Sequence, residues 1–211
     1  MFDLDISTII ARIIVLLIAF TVHELAHALT ADYLGDPTPR RMGRITLNPL
    51  KHLDPFGTIM LIIAGFGWAK PVMVNPMNMR GNPRTSMAIV AIAGPLSNII
   101  LAGIAAIFFR LDLVDVNSLF LGNASALSFA NLLVQFLYIN LALAFFNMLP
   151  VPPLDGSKIL FAILPAELVY RLRPLEQYGF MILFLVVFLV PQVLDVLVWQ
   201  PVQATAQLLI G

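Results

Sequence analysis

Long runs of apolar residues, separated by short polar stretches, dominate the sequence. Four of these runs are long enough to cross the hydrocarbon core of a bilayer, which requires roughly 20 apolar residues. They lie at about residues 8–31, 87–109, 126–149 and 178–198. A fifth run, residues 57–68, has only 12 residues and predicts a re-entrant or interfacial piece. The pattern therefore predicts an all-α polytopic membrane protein with about four transmembrane helices.

The region between the first two spans is rich in Pro, Gly and Asn. Within it, residues 70–79 read KPVMVNPMNM, a sequence that favours extended backbone. The prolines at positions 71 and 76 exclude a central strand but allow an edge strand or a hairpin. We therefore expect a re-entrant or β-hairpin segment between the first two transmembrane helices.

The composition agrees with a membrane protein and excludes several other classes. Hydrophobic residues make up 60% of the chain and charged residues 11%, whereas soluble domains average about 45–50% and about 25%. Lys plus Arg and Asp plus Glu are 12 each, so no net charge attracts a nucleic acid. The chain has no Cys, which excludes disulfides and thiolate metal sites. Any metal must therefore be bound by His, Asp or Glu.

The basic residues predict the orientation in the membrane. With four spans, residues 31–86 and 150–177 share one side, and the positive-inside rule makes that side cytoplasmic and places both termini outside. Ten of the 12 basic residues lie on that side. They are Arg40, Arg41, Arg44, Lys51, Lys70, Arg80, Arg84, Lys158, Arg171 and Arg173.

The motif HELAH, at positions 23–27 in the first span, is the strongest chemical signal. On a helix, His23 and His27 lie on one face and can bind one ion, while Glu24 can take a proton from a metal-bound water. An ionised side chain at the centre of a membrane helix costs about 2.5–3.5 kcal/mol. The alternative is a polar face that only packs against other helices through hydrogen bonds.

A second motif, NMLPVPPLDG, occupies positions 147–156 at the end of the third span. Its three prolines break the helix, and this is tolerated at membrane depth only beside protein or a water-filled cavity. Asp155 can supply a third, anionic ligand and leave a fourth position open, as a catalytic zinc site requires. The alternatives are that Asp155 caps a short helix over residues 156–164 and that Asn147 makes an interhelical hydrogen bond.

Together these motifs resemble the site-2 protease family of intramembrane zinc metalloproteases, peptidase family M50. The resemblance rests on HELAH, on NMLPVPPLDG and on GPLSN at positions 94–98 between them. The stretch 43–55 is similar to the small bacterial and archaeal members, and the sequence carries no PDZ or CBS domain. The resemblance implies a single intramembrane metalloprotease domain over residues 1–211 in a prokaryotic cell membrane. The active site would face the cytoplasmic side.

The resemblance also implies the roles of individual residues. It implies that His23, His27 and Asp155 bind one Zn²⁺ per chain and that Glu24 is the general base and acid. It further implies that Asn147 holds the substrate carbonyl or its oxyanion.

Substrate contacts follow less directly from the same resemblance. The extended stretch, including Val72 and Val74, would pair with an unwound substrate as an added strand, and the alternative is a membrane-surface hairpin without such a role. Asn98 would bond a loop or the substrate, or else only pack between helices. His52 would lie near the active site, or else be a solvated or packed loop residue.

The expected partners are the bilayer and a transmembrane protein substrate that unwinds before cleavage. Two other functions remain open from the sequence: a divalent-metal transporter and a noncatalytic metal-binding membrane protein. The far halves of the first three spans carry no ionisable residue, which argues against transport, and the intact Glu24 argues against a noncatalytic relative. The sequence leaves the substrate, the cleavage position and the oligomeric state open.

Overall fold

A computed structural model describes residues 6–64, 68–114 and 127–211. Four of its helices are long and apolar enough to cross a membrane. They are α1 (Ile6–Leu34), α4 (Pro83–Arg110), α5 (Phe129–Asn147) and α9 (Pro191–Ile210). The shorter helices are α2 (Thr38–Arg41), α3 (Pro55–Ala64), α6 (Asp155–Ile163), α7 (Ala166–Leu172) and α8 (Gly179–Leu189). The all-α polytopic class is therefore confirmed.

Helices α1 and α4 pack antiparallel at the centre of the bundle. The carbonyl of Ala19 on α1 accepts a hydrogen bond from Asn98 on α4, and the carbonyl of Val90 lies against His27. Both helices bury several small residues, which let packed backbones approach closely. These residues are Ala11, Ala19, Ala28, Ala31, Ala91, Gly94 and Ala102.

Helix α5 runs antiparallel to α4 and joins the main apolar core. Ser128 caps its first turn by accepting a hydrogen bond from the amide of Asn131. The fully buried Leu137 and Leu141 of α5 pack in one cluster with Val198 and Val202 of α9. The start of the predicted third span, residue 126, lies outside the described residues.

The prediction of a fourth span at residues 178–198 is wrong in its bounds. Helix α8 ends at Leu189, and α9 begins at Pro191. Proline disfavours the helical region for the residue before it, and Val190 accordingly adopts φ −132° and ψ 59°. The fourth span is therefore Pro191–Ile210, which contains a π-helical turn over Asp195–Trp199. A bent pair, Ala166–Leu172 with Glu176–Leu189, also meets the length and composition of a span, which would raise the number to five.

Arg110 locates the end of α9 in the bundle. Its guanidinium donates hydrogen bonds to the carbonyls of Leu208 and Leu209, and a cation at this position satisfies the open carbonyls of a helix C-terminus. Because α1 is antiparallel to α4, Ile6 lies at the same end of the bundle. Both ends of the described chain thus share the end opposite the HELAH motif.

The segment between α1 and α4 contains a short helix and an extended stretch. Helix α3 begins two residues before the predicted short run at 57–68 and overlaps its first eight residues, and residues 65–67 of that run fall outside the described part. Leu53 and Ala69 form an antiparallel bridge. Side chains then alternate along residues 71–76, with Val72 and Val74 half-buried and Pro71 and Met73 exposed. The stretch has the alternation of an edge strand, but the described residues form no hairpin ladder.

Candidate metal centre

Three buried side chains converge where the two sequence motifs meet. His23 and His27 lie one turn apart on α1, and Asp155 is the first residue of α6. The Nε2 atoms of the two histidines are 3.0 Å apart. Oδ2 of Asp155 lies 3.2 Å from Nε2 of His23 and 3.1 Å from Nε2 of His27. The prediction that Asp155 reaches the two histidines is confirmed, and its side chain does not cap α6.

This triangle fits a zinc ion. Zinc bonds of about 2.0–2.2 Å in a tetrahedron place neighbouring ligand atoms about 3.3–3.5 Å apart, and the observed separations of 3.0–3.2 Å are close to that. Two imidazole nitrogens and one carboxylate are a ligand set of catalytic zinc sites, with the fourth position left for water. Among the described residues these three form the group that can hold a metal ion.

The hydrogen-bond partners of the two Nδ1 atoms determine which tautomer each imidazole adopts. Nδ1 of His23 lies 2.6 Å from Oδ1 of Asn98, and Nδ1 of His27 lies 2.7 Å from the carbonyl oxygen of Val90. Both partners are acceptors, so each Nδ1 carries the proton and donates. Each Nε2 is then unprotonated and available to a metal, as metal-binding histidines require.

Asn98 is itself held by a residue that the sequence analysis missed. Its Nδ2 donates to Oδ1 of Asn140 at 2.8 Å, and Nδ2 of Asn140 donates to the carbonyl of Phe136 at 2.8 Å. Both asparagines are fully buried at 0% exposure. This chain of amides leaves Oδ1 of Asn98 facing His23. Asn98 therefore bonds a candidate metal ligand, and its hydrogen bonds in this structure go to α1 and α5.

We expect Asn140→Leu to weaken zinc binding without unfolding the protein. Without the Asn140 carbonyl, the amide of Asn98 is free to turn and present its NH₂ group to His23, which disfavours the metal-binding tautomer. Loss of such supporting hydrogen bonds typically costs 10–100-fold in metal affinity, so we expect the zinc dissociation constant to rise by about that factor. Competition with a chromogenic chelator measures it.

Asn147→Leu is the matched control for this prediction, because it makes the same change in the same helix. The amide of Asn147 donates to Leu143 of its own helix and makes no hydrogen bond to the three candidate ligands. Zinc affinity should be unchanged in this variant. Equal zinc loss in both variants would contradict a specific role of Asn140.

Gly94 provides the space that the two imidazoles occupy. A β-carbon built at Gly94 would lie 2.5 Å from Cε1 of His27 and 2.6 Å from Cε1 of His23. Real side chains do not tolerate such distances, so only glycine fits here. The close packing of α4 on α1 and the metal site therefore depend on the same residue.

Glu24 lies beside the three candidate ligands and contacts the extended stretch. Its Oε2 accepts a hydrogen bond of 2.9 Å from the amide of Val72 and lies 3.9 Å from Nη2 of Arg44. Arg44 is only 4% exposed and also donates to the carbonyl of Lys70. Arg44 thus links Glu24 to the extended stretch. From the sequence alone, Arg44 is only one of the ten basic residues predicted on the cytoplasmic side.

The profile of a known family matches most of the chain. The family is described as "Peptidase family M50", and it matches residues 11–116 and 110–190. The chain belongs to peptidase family M50. This membership confirms the resemblance to the site-2 protease family inferred from HELAH, GPLSN and NMLPVPPLDG.

Curated relatives agree with the family. The "Putative zinc metalloprotease YwhC" of Bacillus subtilis is 45% identical over 179 residues, which are 85% of this chain and 80% of YwhC. The "Putative zinc metalloprotease Rip2" of Mycolicibacterium smegmatis is 31% identical over 79% of this chain and 62% of Rip2. Rip2 of Mycobacterium tuberculosis is 32% identical over 83% of this chain and 65% of Rip2. The chain thus spans slightly less than two thirds of these Rip2 proteins. No solved structure is significantly similar to the chain.

Two further predicted site residues, Asn147 and His52, make no side-chain hydrogen bond to the three candidate ligands. Asn147 is half-buried at the end of α5. His52 is 1% exposed, and its Nε2 bonds the carbonyl of Thr46 at 2.9 Å. The carbonyl of His52 accepts from the amide of Lys70 at 2.8 Å, which joins its loop to the extended stretch. His52 is therefore a packed loop residue in this structure.

Asp36 attaches the far end of the extended stretch to α1. Its carboxylate accepts hydrogen bonds from the amide and hydroxyl of Thr38, the amide of Asn75 and the side chain of Asn78. Burial opposes ionisation, but the hydrogen bonds from Thr38 and Asn78 outweigh it and hold the pKa of Asp36 below its usual range. The ionised carboxylate therefore stabilises the folded state.

We expect Asp36→Asn to lower the free energy of unfolding by about 1–3 kcal/mol at pH 7, because the amide's NH₂ group faces donors. A group with a lowered folded pKa stabilises the protein above its unfolded pKa of about 4 and loses that effect as the pH falls through the folded pKa. The difference in melting temperature between wild type and variant should therefore shrink below about pH 4. Melting curves in detergent between pH 3 and pH 7 measure it.

Asp112→Asn is the control for this pH dependence. Asp112 is exposed and has a φ of 50°, a conformation that Asn tolerates well. Its substitution should change stability by less than about 0.5 kcal/mol at every pH. A constant difference between wild type and Asp36→Asn across the pH range would refute the role of the ionised carboxylate.

Proposed function

We propose that this M50 peptidase is an intramembrane zinc metalloprotease that hydrolyses a peptide bond in or near a transmembrane segment of a membrane protein. His23, His27 and Asp155 hold the zinc, and Glu24 is the general base and acid. The convergence of both unprotonated Nε2 atoms on Oδ2 of Asp155 is the observation that carries the proposal. Residues 1–211 act as one domain, with a core shared by α4, α5 and α9.

The two oxygens of Glu24 have separate tasks in this mechanism. Zinc, when bound, lowers the pKa of water to about 7 and polarises the scissile carbonyl. Val72 and Arg44 both contact Oε2, which holds the carboxylate in place. Oε1 makes no hydrogen bond to any residue that the structure describes. Oε1 therefore accepts the proton of the attacking water and returns it to the leaving amine.

The extended stretch is the surface on which an unwound substrate pairs. A transmembrane helix hides its carbonyls in its own hydrogen bonds, so cleavage requires a locally unwound strand. Val74 packs against α1 and α4, Val72 is half-buried, and the backbone groups of Met73 bond no described residue. Met73 thus offers one donor and one acceptor to an added strand.

Asn147 completes the proposed catalytic group. One N–H of its amide donates to the carbonyl of Leu143, and the second is available to a substrate carbonyl. It stands eight residues before Asp155. In this proposal the free N–H stabilises the oxyanion that forms on the substrate.

The active site faces the cytoplasm in the proposed orientation. Ten of the 12 basic residues lie in segments 31–86 and 150–177, which four spans would put on one side of the membrane, and the positive-inside rule makes that side cytoplasmic. Because the chain has no Cys, a single cysteine introduced at the exposed Arg171 reports its side directly. Labelling of that cysteine by an impermeant maleimide in intact cells would exclude this orientation.

Cleavage in a defined system tests the proposed activity. The purified protein in detergent is incubated with a panel of single-span membrane proteins, and its metal content is measured in parallel. We expect about one zinc per chain, cleavage within or beside the spans, loss of cleavage on chelation and recovery on addition of zinc. A folded protein that binds no stoichiometric zinc would refute the proposal.

Metal transport is not favoured by this structure. A transport path would require metal ligands on both sides of the membrane. The described residues form one such group, and it lies at one end of the bundle. The family is described as a peptidase family, and YwhC is named a putative zinc metalloprotease.

A further inference from the structure

A cavity of about 730 Å³ opens beside the candidate catalytic site. It lies between the start of α4, the proline-rich loop before α6, α6 itself and α7. Apolar side chains such as Phe161, Ala162 and Val169 line it, and three basic side chains, Arg84, Lys158 and Arg173, line it as well. Neither the zinc ligands nor the proposed mechanism uses this space.

The cavity is joined to the active site along two routes. Lys158, in its wall, donates to Oδ1 of Asp155 at 2.9 Å. Pro76, also in its wall, belongs to the extended stretch, whose residue Val72 donates to Glu24. A strand rises about 3.3 Å per residue, so the four residues from Val72 to Pro76 span about 13 Å. A substrate strand paired along this stretch reaches the cavity about four residues from the scissile bond.

The chemistry of the wall indicates what the cavity binds. Its apolar part accommodates a large aliphatic or aromatic side chain. Three basic residues against one acidic residue, Glu176, leave a net positive charge at the wall. A peptide that carries an apolar residue followed by acidic residues would satisfy both features.

We propose that this cavity is a specificity subsite. It binds the substrate residues that flank the cleaved segment on the side of the membrane where the active site lies. It takes a large apolar side chain about four residues from the scissile bond, followed by an acidic residue. The inference rests on the proposed proteolytic function and names the substrate sequence that this function prefers.

The test uses binding to zinc-loaded Glu24→Gln protein in detergent, so that it does not depend on turnover. The probe is a fluorescein-labelled single-span peptide whose apolar helix is interrupted by Asn-Gly and followed, four residues on, by Phe-Asp-Asp. We expect replacement of Phe by Gly, or of Asp-Asp by Lys-Lys, to raise the dissociation constant about tenfold. Ala162→Trp, which fills the cavity, should abolish the preference for Phe.

A substitution that reverses the charge of one wall residue distinguishes recognition of the peptide from a change in the structure of the protein. Arg173→Glu leaves two basic and two acidic residues at the wall, so the tenfold preference for the Asp-Asp peptide over the Lys-Lys peptide should be lost. Arg171→Glu is the matched control, because Arg171 is exposed two residues before Arg173 and does not line the cavity. It should leave the preference unchanged.

Several outcomes would overturn the subsite. They are the absence of saturable binding, equal binding of all peptides, and a preference that Arg173→Glu leaves unchanged. An effect of Arg173→Glu that appears only with phosphatidylglycerol present would assign the cavity to a lipid headgroup instead. Cleavage of the peptide by wild type without the preference would retain the protease and refute the subsite. If the binding preferences are found but zinc-loaded wild type cleaves none of the peptides, the proposed proteolytic function is refuted and the binding site is retained.

Discussion

The Glu24→Gln protein should retain zinc, and its cleavage rate should fall about 10²–10⁴-fold, which is the factor that general base catalysis contributes. The amide keeps the size of the carboxylate, and its oxygen can still accept the hydrogen bond from Val72. The proposed metal ligands His23, His27 and Asp155 are unchanged, so one zinc should remain bound. Metal analysis and the initial cleavage rate on the same sample measure the two effects separately.

Glu167→Gln is the matched control for this variant. Glu167 is exposed on α7 and lines neither the candidate metal centre nor the adjacent cavity. Its variant should cleave at the wild-type rate. Undiminished cleavage by a zinc-loaded Glu24→Gln protein would remove Glu24 from the mechanism.

Gly94→Ala should disrupt the metal centre although it adds a single methyl group. That methyl would overlap the rings of His23 and His27, and the helix backbone of α4 cannot retreat without losing its packing on α1. Overpacking of this kind costs about 1–3 kcal/mol. We expect the displaced imidazoles to bind zinc at least about tenfold more weakly, with a matching loss of cleavage. Chelator competition and melting curves measure the two consequences.

Gly103→Ala makes the same change nine residues further along α4. A β-carbon at Gly103 meets no atom within 4 Å. Replacing glycine by alanine inside a helix then raises stability by up to about 1 kcal/mol through reduced backbone freedom. Zinc binding by Gly94→Ala equal to that by Gly103→Ala would show that α4 can shift away and that the fit at Gly94 is not required.

The metal centre was largely predictable because its signals are local. Two histidines at i and i+4 share one helix face whatever the helix packs against, and their cost in a membrane helix indicates a function. Asp155 was predictable because three prolines end the preceding helix and return the chain beside that face. The contact of 3.1–3.2 Å to both histidines confirms this.

The partners of that centre were not predictable from the same signals. Asn140 lies 117 residues from His23 and looks like any polar residue in an apolar helix. Its side-chain amide bonds Asn98 only because α4 and α5 are in contact at the level of these two residues. Arg44 was equally hidden, since a basic residue in a loop usually faces water. Only the packed loop shows that it is buried beside Glu24.

The sequence by itself determined the class of the protein, the first three transmembrane spans and the candidate ligands His23, His27 and Asp155. These depend on apolar run length, on helical periodicity and on prolines, all of which act within a few residues. The tertiary structure decided the position of the fourth span, the hydrogen bonds that orient the ligands and the cavity beside Asp155. Those features arise where distant segments meet. The pattern of apolar residues does not specify which segments contact each other, because in a membrane nearly every face of a helix is apolar.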